Sequence, residues 1–97
     1  MLVALERFDL RIRQAHSLKQ KRHVVKTLTN GIRATFNVSV AEVDHQDLWQ
    51  RAAIAVAAVG GPEYHLRKVM HEVERYVERW VEVELISAEL TVHYPGD

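Results

Sequence analysis

Residues 2–20, LVALERFDLRIRQAHSLKQ, contain the change of period that decides the fold. Leu2, Ala4, Phe8, Leu10 and Ile12 fall on one side of an alternating run, with Arg7, Asp9, Arg11 and Arg13 on the other. Period two is the pattern of a strand with one buried face. At Ser17-Leu18-Lys19-Gln20 the pattern switches to a capping-box start, in which a serine hydroxyl accepts from the amide three residues on and the glutamine reaches back. A helix is expected from Leu18 to Thr35, because Leu18, Val25, Leu28, Ile32 and Phe36 share one stripe. Gly31 weakens that helix by about 1 kcal/mol relative to alanine, so a packing reason is expected there. Lys21 falls inside the apolar stripe and is expected to snorkel its ammonium out past the first turn.

Working outward, Asn37 to Val43 is strand-like with Val38 and Val40 inward, and Asp44 to Arg51 is a polar connection interrupted by Leu48 and Trp49. Arg51 to Val59, rich in Ala and Val, predicts a third strand that Gly60-Gly61-Pro62 ends. Pro62 suits the first turn of a second helix, along which Leu66, Val69, Met70, Val73, Val77 and Trp80 form an amphipathic stripe. A last strand follows Glu82, with Ile86, Ala88, Leu90 and Val92 inward and Ser87, Glu89, Thr91 and His93 outward. The order is β-α-β-β-α-β, and right-handed crossovers put both helices on one face of a four-stranded antiparallel sheet. This is an α+β, ferredoxin-like split β-α-β sandwich, expected to be a single domain over residues 1–97. Its open face is expected to show Arg7, Asp9, Arg11 and Arg13, the row Ala53, Ala55, Ala57 and Val59, and Ser39, Ala41 and Val43.

The chain carries no cysteine, which removes disulfides, iron–sulfur ligation and thiol catalysis together. Its apolar start from Met1 to Leu5 is too short for a signal peptide or a spanning helix, and a cytoplasmic address is expected. The formal net charge of zero hides a division. Through Phe36 there are eight Lys or Arg against Glu6 and Asp9, a net of +6, and the remainder carries −6. Such asymmetry points to a polyanion on one face, or to two halves that neutralise each other across the fold.

Lys19, Arg22, Lys26 and Arg33 lie close together on the helical wheel beside the apolar stripe, with His23 nearby, and make one basic ridge. Together with Lys21 and the strand residues Arg7, Arg11 and Arg13, they are the candidate nucleic-acid contacts, since phosphate neutralisation needs no sequence reading. The open face has no aromatic residues for base stacking of the kind RNA-recognition motifs use. The row Ala53, Ala55, Ala57 and Val59 instead suits a closely approaching second sheet, the mark of a homo-oligomer. The histidines His65 and His71 are six apart and His16 and His23 seven apart, and neither spacing brings two imidazoles together as an i, i+4 pair would. Asp44, His45 and Asp47 gather two carboxylates and an imidazole in one loop, the sole support for a metal-assisted enzyme. No phosphate loop or nucleophile elbow is present, and no catalytic residue, cofactor or metal is predicted.

Three runs, SLKQKRHVVK at 17–26, FNVSVAEVD at 36–44 and QDLWQRA at 46–52, together resemble the YlxP-like family of small bacterial proteins. The resemblance implies a ferredoxin-like fold, no assigned activity, and genes lying beside translation and ribosome-maturation factors. It draws attention to Lys19, Lys21 and Arg22 and to the loop from Glu42 to Arg51, and assigns no catalytic role to them. Two readings stand: a small accessory protein that binds structured, ribosomal RNA through the helix-one ridge, and a homo-oligomeric interaction module with no nucleic-acid role.

Overall fold

The computed structural model describes residues 1–96. Its elements are β1 (Leu2–Ile12), α1 (Leu18–Thr35), β2 (Ser39–Asp44), β3 (Arg51–Gly60), α2 (Glu63–Glu78) and β4 (Val83–His93). The strands form one antiparallel sheet in the order β2-β3-β1-β4. This is the ferredoxin-like βαββαβ arrangement that the alternation predicts. The inward residues Phe8, Leu10 and Ile54 meet Leu28 and Ile32 from α1 and Met70, Val73 and Val77 from α2, all fully buried in one core.

Local chemistry sets the element ends. Ser17 Oγ accepts from the Gln20 amide at 3.1 Å, satisfying one of the free donors at the start of α1. The Gln20 side chain accepts from the amide of His16 at 2.6 Å, one residue earlier than a capping box requires. Pro62 stands at the N-cap of α2, just before the first turn. Gly31 has the packing reason its cost demands: a methyl group there would collide with the Tyr76 hydroxyl. Tyr76 in turn packs edge-on against Phe36, ring centroids 5.7 Å apart.

Two β-bulges change what strict alternation predicts. On β4, Ser87 faces Asp9 and Leu85 faces Leu10, which leaves Ile86 as the extra residue. Ile86 is therefore exposed and not inward as expected, while Leu85 and Val83 return to the core side. On β2, Glu42 faces Ile54 and Asp44 faces Ala53, so Val43 is the extra residue. Asp44 thereby takes the place on the open face that alternation assigns to Val43.

Candidate nucleic-acid interface

Helix α1 presents its ridge on the flank beside its buried stripe, toward the β2 edge. Lys19, Arg22, His23 and Lys26 are all exposed. Among the described residues, Arg13, Lys19, Arg22 and Lys26 form no ion pair with any carboxylate. Arg33 is more constrained, because its guanidinium donates to Asn30 Oδ1 at 3.0 Å and to the Val40 carbonyl at 2.7 Å. Arg22, Lys26 and Arg33 line a shallow cleft of about 290 Å³ beside β2, which Glu42 also borders.

Lys21 does not snorkel. Its side chain is 0% exposed, and Nζ donates to Glu42 Oε2 at 2.7 Å and to the His45 carbonyl at 2.9 Å. An ammonium removed from water needs a paired and hydrogen-bonded setting, and the inward parity of Glu42 on β2 supplies it. Lys21 is therefore a tie between α1, β2 and the following loop and has no exposed charge for RNA. The tie ends at His45, whose backbone is left-handed at φ 62° and whose amide donates to Asp44 Oδ1 at 2.8 Å.

On the open face the strand-one cations are engaged within the chain. Arg7 Nε reaches Asp9 Oδ2 at 3.0 Å and its Nη2 reaches Asp44 Oδ2 at 3.3 Å. His45 Nε2 lies 3.5 Å from Asp9 Oδ1, with Arg51 at 4.0 Å, and Arg11 pairs with Glu84 at 3.6 Å. The Arg7 guanidinium holds the Asp9 carboxyl below the usual carboxylate range; for Asp44 the larger cause is the His45 amide, then Arg7. Of Arg7, Arg11 and Arg13, Arg13 alone forms no ion pair among the described residues. Asp44 and His45 are thus drawn into a charge cluster around Arg7, and among the described residues no three His, Asp or Glu side chains are placed to hold one metal ion.

The cluster also changes the alanine row. Ala53, opposite Asp9 and Asp44, is fully buried within the chain and offers nothing to a partner, contrary to the expected row. Ala55 and Ala57 are half-buried, and Val59 is 70% exposed. Leu5, paired with Ala57, is 41% exposed on the same face. The open face is therefore split into an apolar end around Leu5 and Val59 and an ion-paired end around Arg7 and Asp9.

Two features escape a reading by residue type. Glu6 is 1% exposed among the core residues, and neither carboxyl oxygen has a hydrogen-bond partner within the described residues. Burial, and then the proximity of Glu74, push its pKa up to about 9, so it is held uncharged at neutral pH. The signal was its parity, shared with Ala4 and Phe8. The second feature is a groove of about 770 Å³ between the start of α1 and the α2–β4 junction, bordered by Arg13, Lys19, His23, Val24, Val81 and Glu82. It joins residues far apart in the chain, so no local pattern announces it.

Fold and geometry together define a class: a small ferredoxin-like domain with a cationic helix face and an internally neutralised sheet face. Residues 3–90 match the model of a family described as a protein of unknown function (DUF503), and the chain belongs to that family. It is 36% identical over 73 residues to the uncharacterized protein YlxP of Bacillus subtilis (strain 168), covering 75% of this chain and 79% of that one. That match agrees with the resemblance carried by the three sequence runs. Among solved structures, the designed protein Foldit4 is similar with a TM-score of 0.54 and 11% identity, covering 99% of this chain and all of that one. A putative chlorite dismutase is similar with a TM-score of 0.56 and 8% identity, covering 95% of this chain and 44% of that one. At such identities the likeness shows the fold alone. No helix of the described residues is long and apolar enough to cross a membrane.

Proposed function

We propose that the chain is a small accessory protein that binds structured RNA, ribosomal in the first instance, in a cytoplasmic translation or ribosome-maturation setting. One observation carries the reading. Arg13, Lys19, Arg22 and Lys26 form no ion pair among the described residues, whereas Arg7, Arg11 and Lys21 of the same basic half are neutralised within the fold. Free cations on one helix end are the groups able to release counterions from phosphates, and exposed carboxylates are absent from the first turn of α1. The family resemblance supports the setting but assigns no ligand.

The test is fluorescence anisotropy with a labelled ribosomal RNA fragment. Charge reversal at Lys19, Arg22 and Lys26 together should abolish binding, and Arg11→Glu, at a residue already paired with Glu84, should leave it close to wild type. Equal affinity of the triple variant and the wild type contradicts the proposal.

A second reading rests on the apolar end of the open face, where Leu5 and Val59 are exposed beside Ala55 and Ala57. Exposed contiguous apolar surface is characteristic of interaction sites, and a second copy stacked there makes the chain a homodimeric module. Sedimentation at micromolar concentration should then give a dimer that Val59→Arg dissociates. A monomer under those conditions removes this reading.

A further inference from the structure

The ridge borders the groove of about 770 Å³ formed where β1 leads into α1 and α2 leads into β4. That volume lies within the range of small-ligand sites. Its lining has two characters. Val24, buried in the helix face, and Val81, 85% exposed on the segment before β4, give an apolar surface. Arg13, Lys19, His23 and Glu82 stand around it. Nothing in the fold requires an aliphatic side chain at position 81, since it packs on no core element and lies outside both α2 and β4.

A phosphate backbone alone would be served by the exposed cations and would leave the valines and His23 unused. We infer that the groove seats one unpaired nucleotide of the bound RNA, its base against Val81 and His23 and its phosphate at Lys19 and Arg13. This rests on the RNA-binding reading above and specifies it: the element recognised is a loop, bulge or end and not a continuous duplex. Base faces stack on aromatic side chains in sites of this kind. The Glu82 carboxylate can accept hydrogen bonds but not donate them. It repels a phosphate and accepts from a base amino group or a ribose 2′-hydroxyl, which orients the nucleotide with its phosphate toward α1.

The experiment compares a labelled single-stranded RNA decamer with a blunt duplex of the same sequence, each titrated across a salt series. The protein is wild type or carries both His23→Ala and Val81→Ser, two exposed positions where the fold tolerates change. The wild type should prefer the single strand by about tenfold, and the double variant should lose that preference, because a stacked base contributes about this much. The logarithmic salt slope should stay the same, since no phosphate contact is removed. Equal wild-type affinity for the two RNAs, or no effect of the double variant, overturns the groove assignment and leaves the ridge standing. Absence of binding to either RNA at low salt overturns both.

Discussion

Lys21, fully buried, and Glu42, whose side chain is 23% exposed, form an ion pair, Nζ to Oε2 at 2.7 Å, with the His45 carbonyl as a second acceptor at 2.9 Å. It ties α1 to Glu42 on β2 and to His45, which follows that strand. Removing Glu42 strands the fully buried Lys21 ammonium, at a cost of about 3–5 kcal/mol, whereas replacing both by apolar residues of similar volume is close to neutral. Glu42→Leu alone should therefore lower the denaturation midpoint far more than Lys21→Met combined with Glu42→Leu. Chemical denaturation of the two variants checks this, and a double variant as unstable as the single one contradicts it.

The acid on β1 makes a pH prediction. In the folded chain Glu6 holds its proton up to about 9, and in the unfolded chain it ionises near 4.5. Between those values unfolding releases a proton, so stability falls as pH rises and levels off once the folded form also ionises. Asp9 and Asp44 are lowered, mainly by the Arg7 guanidinium and the His45 amide respectively. Their contribution is present above the ordinary carboxylate range and is lost as pH falls below it. Melting temperature should accordingly be highest near about pH 5 and decline toward pH 8. Glu6→Gln should remove the alkaline decline and stabilise the protein at pH 8 by about 1–3 kcal/mol. Parallel melting curves for variant and wild type across pH 5 to 8 would show that Glu6 is not the group responsible.

Gly31 and Tyr76 give a third prediction. Alanine is preferred to glycine in a helix by about 1 kcal/mol, but its methyl group collides here with the Tyr76 hydroxyl, and overpacking costs about 1–3 kcal/mol. Gly31→Ala should be destabilising by about 1 kcal/mol as the difference of the two. In a Tyr76→Phe background the same change should become stabilising, because the nearest remaining ring atom is at 3.4 Å. A double-mutant cycle measured by thermal unfolding decides the sign.

The fold was legible because both periods persist over the segments that matter: Leu2 to Ile12 alternate with Glu6 as the one inward exception, and Leu66 to Val77 recur at helical spacing. What alternation misplaces is traceable to single extra residues. Ile86 and Val43 are bulged, and each reverses the parity of everything beyond it, which moves Asp44 onto the open face. No hydropathy pattern marks where a ladder gains a residue.

The charged residues were harder to read for a different reason. Lys21 in an apolar stripe is compatible with an ammonium that escapes to water or one that meets a buried acid, and the choice depends on Glu42, on another element. Arg7 and Arg11 count as cations in composition and are neutralised in space by Asp9, Asp44 and Glu84. Position on the helical wheel could place Lys19, Arg22, Lys26 and Arg33 on one flank of α1, since they lie on one element. It could not add Arg13, Val81 or Glu82, which the β1–α1 and α2–β4 connections bring to the groove beside Lys19.

The most direct measurement is the affinity of the wild-type protein for a labelled ribosomal RNA fragment at about 50 and about 200 mM salt. Four phosphate contacts, one each for Arg13, Lys19, Arg22 and Lys26, should weaken binding by about 50-fold for a single strand and about 150-fold for a duplex over that range. A fall of that size is the result predicted for phosphate binding by these four unpaired cations. No binding at the lower salt, or an affinity that does not change between the two, contradicts it.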